Sequence, residues 1–279
     1  MRRTKTRVIA LLCAGLLLSA GRADEAPRVS DSVGPTEPGA AMTVRARYSG
    51  SVLIFQVGRI YFNATLGPDW YSSQSHVEAA GLAALFTDFD IDSEVEGRLR
   101  ADGVAVPDRY GHVERTGDKV RSVNVSFAGP HAISTVEPPF GSWGVPPASE
   151  TDRTGVIDPM SAFLQLSSSI EAEAGEACSG SIPVFDGKAR YDLRLESAGP
   201  DRVRTPAWRG EALLCRAWYE PIAGYDPEDY PSEDELRHPL NIWLAPIGDG
   251  QHYLPVRMHT AAGFGGVTIE AVEISVEAG

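Results

Sequence analysis

The feature that most constrains the fold is a repeated alternation of apolar and polar residues with a period of two. Residues 44–48 place Val, Ala and Tyr at every second position with Arg between them, and residues 191–196 repeat this pattern. Because successive side chains of a strand point to opposite faces, such alternation predicts half-buried β-strands. The 28 Gly and 20 Pro supply many turns between these segments. The sequence therefore predicts an all-β, mainly antiparallel protein of about ten or more strands.

Three local patterns refine this prediction. The run Val52–Val57 is apolar on both faces and predicts a more buried strand. In the last strand the apolar positions change parity between Ala271 and Val272, which predicts a β-bulge there. Asp158 and Pro159 are typical of a helix N-terminus, and apolar residues follow at helical spacing. We therefore expect one helix between two strand-rich halves.

The N-terminal residues are expected to be removed or to lie outside the fold. Residues 1–23 combine a basic start, an apolar run over residues 8–20 and a small-residue exit, the pattern of a secretory signal peptide. The run is shorter than the roughly 20 residues that a transmembrane helix needs. Residues 24–42 are rich in acidic residues, Pro, Gly and Ser and predict a disordered linker. Residues 43–279 are then a single β domain of an exported chain that does not span a membrane.

Cysteine usage and charge narrow the chemistry further. Once the segment holding Cys13 is removed, Cys178 and Cys215 remain. Two thiols in an oxidising compartment most often pair, and a closed loop of this length contributes about 4 kcal/mol of stability. They lack the Cys-x-x-Cys spacing of a redox pair and the further ligands of a metal site.

The net charge of −13 argues against nucleic acid or an anionic membrane as the main partner.

No motif for catalysis, a cofactor or a metal is found. Acidic residues alternate over residues 88–96, but an EF-hand would need Gly where Ser93 stands and Glu where Leu99 stands. We interpret this segment as the solvated face of an edge strand. The six His residues show no zinc-binding arrangement, and no nucleophile elbow for a serine hydrolase is present. The sequence thus predicts no metal and no cofactor.

Two aromatic residues are candidates for a binding contact. Phe140 and Trp143 lie in residues 128–157, a Pro-rich stretch without a sustained period. Loops run over protein surfaces, so aromatic residues in a loop fit a plain core position less well than those in strands do. We interpret the pair either as a ligand or partner contact or as a plug for one open end of a rolled sheet.

Five stretches together carry a resemblance to a known family. They are residues 158–163 (DPMSAF), 178–187 (CSGSIPVFDG), 191–195 (YDLRL), 254–257 (LPVR) and 264–268 (FGGVT). Over residues 45–275 the chain resembles the exported bacterial proteins of the domain-of-unknown-function 3108 (DUF3108) family. The resemblance implies a long antiparallel sheet coiled into a spiral β-roll or two half-barrels, a periplasmic location, and no established catalytic residues.

These observations give two functional hypotheses. The first is a non-catalytic periplasmic protein that binds an envelope component, either a lipid or other amphiphile or a partner protein, and supports cell-envelope integrity. An apolar cavity inside the roll would favour an amphiphile, whereas a solid core would favour surface contact with a protein or with peptidoglycan. The alternative is a hydrolase of an envelope polymer, which requires two carboxylates about 5–10 Å apart in a cleft.

Overall fold

The computed structural model describes residues 41–100, 103–168, 178–248, 252–261 and 266–278. Within these ranges the chain forms a 13-stranded antiparallel sheet and little helix. The first seven strands are β1 (Met42–Val52), β2 (Phe55–Leu66), β3 (Trp70–Ala79), β4 (Phe89–Leu99), β5 (Ala105–Thr116), β6 (Lys119–Ser126) and β7 (Ile133–Glu137). The other six are β8 (Ser179–Phe185), β9 (Arg190–Arg204), β10 (Arg209–Ala223), β11 (Leu240–Ile247), β12 (His252–Thr260) and β13 (Val267–Ala278). The helices are α1 (Pro159–Ser168), α2 (Glu233–Leu236) and a 3-10 turn at Ala83–Leu85.

The strand order explains how one sheet forms two halves. It runs β7-β6-β5-β4-β3-β2-β1-β13-β12-β11-β10-β9-β8, so β1 and β13 pair in the middle and two arms extend from them. The chain follows one arm outward to β7, passes through α1, and returns along the other arm from β8. The outermost strands β7 and β8 are not paired with each other, so the sheet is not closed into a barrel.

Helix α1 lies between the two arms and gives both of them a surface to pack against. Met160 and Leu164 belong to a hydrophobic cluster with residues from both arms, and Ala162 and Leu166 belong to a cluster formed with the second arm. The far ends of the arms also meet, because a Cβ added at Gly187 would lie 2.4 Å from Val123 Cγ1. The prediction of an all-β, mainly antiparallel coiled sheet with one helix between its halves is confirmed.

The predicted bulge in the last strand is confirmed and has a structural role. Arg47 pairs with Glu273 and Tyr48 pairs with Ala271, so Val272 is the extra residue in β13. The carbonyl of Ala271 accepts a hydrogen bond of 3.2 Å from the Ala207 N–H in the turn between β9 and β10. The bulge thus lies where the long β9–β10 hairpin contacts the middle of the sheet.

Two predictions about individual strands are wrong. The run Val52–Val57 is not a buried strand, since Leu53 and Ile54 form a hairpin turn and both are exposed. The acidic strand β4 is not an edge strand, because it pairs with β3 and with β5. The first segment is apolar and the second is acidic, as their residues show. The position of each segment in the sheet, however, depends on strand order.

The predicted N-terminal segments lie largely outside the described residues. This applies to the signal peptide at residues 1–23 and to the linker at residues 24–42, except that the structure describes residues 41 and 42 and β1 begins at Met42. Ile170, one of the apolar residues that follow Pro159 at helical spacing, is also outside them. Among the described helices, none is long and apolar enough to cross a membrane.

Candidate functional site

Among the described residues, apolar side chains from both arms and from α1 pack together in the interior of the coiled sheet. The largest fully buried ones include Tyr48, Tyr71 and Phe185 on the strands, and they join contiguous clusters that include the apolar side chains of α1. Each strand contributes alternate residues to this interior, as the period of two predicts. Such a packed core favours binding at the surface of the protein.

The outer face of the first arm carries a polar groove. Two adjoining volumes of about 600 and 550 Å³ lie across strands β2 to β7. Both are lined by the same cross-strand row, in which each residue pairs with the next one: Asn63, Gln74, Glu94, Gly111 and Asn124. We call this the central row. Gly111 adds no side chain to the floor of the groove, and a Cβ there would lie 3.1 Å from Asn124 Oδ1.

The side chains of the central row have unused hydrogen-bonding capacity. Within the described part of the chain, Asn63, Gln74, Glu94 and Asn124 make no side-chain hydrogen bond or ion pair. The amides offer both donors and acceptors, and the carboxylate offers acceptors. The central row can therefore bind a ligand that presents several hydroxyl or amide groups.

The charged residues beside the central row are paired with each other. Arg115 Nη1 lies 2.6 Å from both Asp90 Oδ1 and Asp92 Oδ2, and His76 Nδ1 lies 2.7 Å from Asp92 Oδ1. Partial burial by itself raises the pKa of Asp92, but hydrogen bonds from Arg115 and His76 hold that pKa below its usual value. The Arg115 guanidinium thus offsets carboxylate charge in this cluster.

Three residues of this cluster could be taken for a metal site, although the sequence predicts no metal. Potential ligand atoms of His76, Asp90 and Asp92 lie within 4.8 Å of one another, which is close enough to hold an ion. The Arg115 guanidinium bridges the two carboxylates, so an ion would have to displace it. The arrangement is better explained as an ion-pair network on the outer face of β3, β4 and β5.

A second polar network is enclosed inside the molecule. Asp158 is fully buried and caps α1, because its Oδ1 accepts the backbone N–H groups of Met160 and Ser161 at 2.9 Å. Ser161 Oγ donates to Asp158 Oδ2 and lies 2.7 Å from the hydroxyl of Tyr71 on β3. Burial raises the pKa of Asp158 to about 6. This network attaches the start of α1 to the first arm.

The structure brings Phe140 and Trp143 together where the two arms meet. Their rings pack edge to face with centroids 5.2 Å apart. The Phe140 ring also lies 5.0 Å from the guanidinium of Arg121 on β6 and 5.6 Å from the ammonium of Lys188 before β9. Trp143 is 42 % exposed, whereas Phe140 is half-buried against the core. The ligand or partner contact assigned to this pair stays a prediction.

The predicted disulfide is present. Cys178 and Cys215 are bonded, and both residues are fully buried. The bond links the residue just before β8 to the middle of β10, across the intervening strand β9. Such bonds persist in oxidising compartments, so the disulfide indicates an exported protein.

The groove was missed by sequence reasoning. Its lining residues come from six strands, and most of them are ordinary polar residues. A signal was available in retrospect, because the uncharged residues Asn63, Gln74 and Asn124 occupy outward positions in a strongly acidic chain. Only the strand register shows that they form one row.

Comparisons with known proteins identify the family and support the fold. The sequence profile of a protein family of unknown function, DUF3108, matches residues 43–272, so the chain belongs to this family. No curated protein sequence matches the chain significantly.

Two solved structures are similar to this one. A beta-barrel-like protein of domain of unknown function DUF1849 from Brucella abortus superimposes with a TM-score of 0.52 at 11 % identity, over 85 % of this chain and 98 % of that one. A protein from Parabacteroides distasonis described as "a putative lipoprotein" gives a TM-score of 0.33 at 11 % identity, over 88 % and 100 % of the two chains. At such identity the first likeness supports the fold alone, and the second carries no argument.

Proposed function

We propose that this member of the DUF3108 family is a non-catalytic periplasmic protein that binds an envelope glycan across the central row and thereby supports envelope integrity. The unpaired side chains of the central row carry this proposal, because they line an open groove and have no partner among the described residues. The signal-peptide pattern of residues 1–23 and the Cys178–Cys215 disulfide support the location.

The chemistry of the groove favours a neutral polyhydroxylated chain over a peptide. The strands that carry the central row, β2 to β6, are paired on both sides, so a peptide strand laid over that row finds no free backbone groups. The arginines at its sides, Arg109 and Arg115, are paired with carboxylates and do not offer a free site for an anionic group. Tyr61 at one wall supplies an exposed aromatic face, which suits the apolar face of a sugar ring.

The test uses a soluble oligosaccharide of β-1,4-linked N-acetylglucosamine as the probe, with titration calorimetry as the readout. The wild-type protein should bind it saturably, and Gln74→Ala combined with Asn124→Ala should weaken binding about tenfold or more, since each substitution removes hydrogen-bonding groups. Glu211→Ala is the matched control, because it removes an exposed polar side chain from β10, outside the groove. Absence of saturable binding, or equal binding by the double variant, would show that the groove is not a glycan site.

A cellular test follows from the same geometry. Cells lacking the protein should become more sensitive to detergent, and wild-type protein should restore resistance. The double variant Gln74→Ala/Asn124→Ala should be exported at a normal level and yet fail to restore it. Full rescue by this variant would show that the groove is not required for envelope support.

A further inference from the structure

One end of the first arm exposes a group of apolar side chains. Six of them form what we call the apolar tip: Leu53 at 59 % exposure, Ile54 at 88 %, Phe55 at 50 %, Leu82 at 44 %, Leu85 at 75 % and Phe86 at 78 %. Single exposed apolar residues are common on soluble proteins, but a contiguous group of this kind marks a contact surface.

The two segments of the apolar tip are joined into one surface. The Leu82 N–H donates to the Gln56 carbonyl at 3.0 Å, and the Ala80 N–H donates to the Val57 carbonyl at 3.2 Å. Gly81 has a φ of +57°, and a Cβ there would lie only 2.5 Å from the Gln56 oxygen. Beneath the tip a small cluster of buried apolar residues supports both segments: Ala79, Ala83, Phe89 and Ile91. The exposed side chains therefore stand on a fixed base.

The backbone of the tip gives an independent reason to assign it a function. Val52 pairs with Phe55, so Leu53 and Ile54 form a two-residue turn. Leu53 has a φ of +56° and is the one non-glycine residue with positive φ in the described part of the chain. Gly, Asn or Asp is normal at such a position, and a leucine there strains the backbone. The Leu53 side chain is also largely exposed. A contact between this side chain and something outside the molecule would explain why a leucine occupies the strained position.

We propose that the apolar tip inserts into the hydrocarbon edge of a zwitterionic lipid leaflet, a contact separate from the glycan groove of the proposed function. Residues 49–58 and 79–87 contain no charged side chain, so the tip offers no ion pairs to orient a protein partner. It is a projecting hairpin turn and loop, which a fluid leaflet accommodates without a complementary pocket. Amphipathic helices bury their apolar faces about 5–10 Å into the boundary between headgroups and acyl chains, and the apolar tip would contact the same layer.

The charge of the chain selects the type of lipid. A net charge of −13 repels an anionic surface, so neutral headgroups are favoured. Binding to phosphatidylcholine vesicles should therefore exceed binding to vesicles that contain phosphatidylglycerol. The difference should shrink as salt is added, because salt screens the repulsion.

The test is flotation of the exported, processed protein with phosphatidylcholine vesicles, with mass spectrometry to define its N-terminus. Replacing Ile54 and Phe86 together by Ser should reduce partitioning about tenfold or more, because two large apolar side chains leave the leaflet. The matched control replaces Trp70 and Ile222 by Ser, since both are exposed apolar residues outside the apolar tip and the groove, 41 % and 43 % exposed. No flotation of wild-type protein, or equal loss in both double variants, would overturn the proposal.

A second variant separates binding from folding. Leu53→Gly relieves the positive-φ strain, so it should melt at the same or a higher temperature while partitioning less into vesicles. A variant that floats as well as wild-type protein would show that the leucine side chain does not contact lipid. Oligosaccharide binding, measured on the same samples, should be unchanged in the tip variants, so failure of either site is distinguishable from failure of the other.

Discussion

The buried Asp158 should increase the free energy of unfolding as the pH falls, whereas ordinary acid denaturation decreases it. Burial raises the pKa of its carboxyl group to about 6, against 3.8 for an unperturbed Asp, although Ser161 and backbone N–H groups donate to it. Between these two values the folded protein binds more protons than the unfolded chain, so this group adds stability as the pH falls. A difference of about 2 pKa units corresponds to roughly 3 kcal/mol, of which about 2 kcal/mol is gained between pH 7 and pH 4.5.

The assay is urea unfolding of wild-type protein and Asp158→Asn at pH 7, 5.5 and 4.5. The other carboxyl groups contribute equally to both proteins, so the difference in unfolding free energy isolates Asp158. That difference should move by about 2 kcal/mol in favour of the wild type on acidification. Asp92→Asn is the control, because the pKa of Asp92 is held below its usual value and its contribution to stability should therefore change little between pH 7 and pH 4.5. A difference that stays constant with pH would refute the reasoning about Asp158.

Three further predictions test other parts of the structure. Cys215→Ser should lower the free energy of unfolding by about 4 kcal/mol and the melting temperature in calorimetry by several degrees. An unchanged melting temperature would contradict a stabilising disulfide. Gly187→Ala should lose more stability in urea than Gly180→Ala: both glycines have positive φ, but only the first added Cβ would meet Val123, at 2.4 Å. Equal losses would argue against close contact between the two arms. Trp143→Ala should shift the melting temperature by less than about 3 °C, because the indole is 42 % exposed. The same variant should weaken photo-cross-linking from this loop to a periplasmic partner. Undiminished cross-linking would show that Trp143 does not contact the partner.

Features that depend on neighbouring residues in the chain could be predicted from the sequence. The start of α1 follows from the capping side chain of Asp158 and from Pro159. The bulge in β13 follows from the parity change at Val272, because one extra residue moves every later side chain to the other face. The disulfide follows from there being two cysteines in the expected exported chain. In each case a few adjacent residues, or a simple count, contain the whole signal.

Features that depend on strand order could not be predicted in this way. The alternating acids of β4 look the same at an edge and in the middle of a sheet, and only the pairing with β3 and β5 places them inside it. The run Val52–Val57 has the composition of a buried strand, yet a tight turn at Leu53 and Ile54 exposes its centre. Composition fixes what a segment prefers to contact, whereas the fold decides whether that contact is available.

The sequence by itself determined the all-β class, the helix between the halves, the bulge and the covalent bond, because each is encoded by local spacing or by residue type. The tertiary structure alone decided which polar residues form the central row and which apolar residues form the tip. Asn63 and Asn124 are 61 positions apart in the sequence and lie in one row because the register of five successive strands aligns them. Register and strand order arise from packing over the whole sheet, and a single sequence does not display that packing.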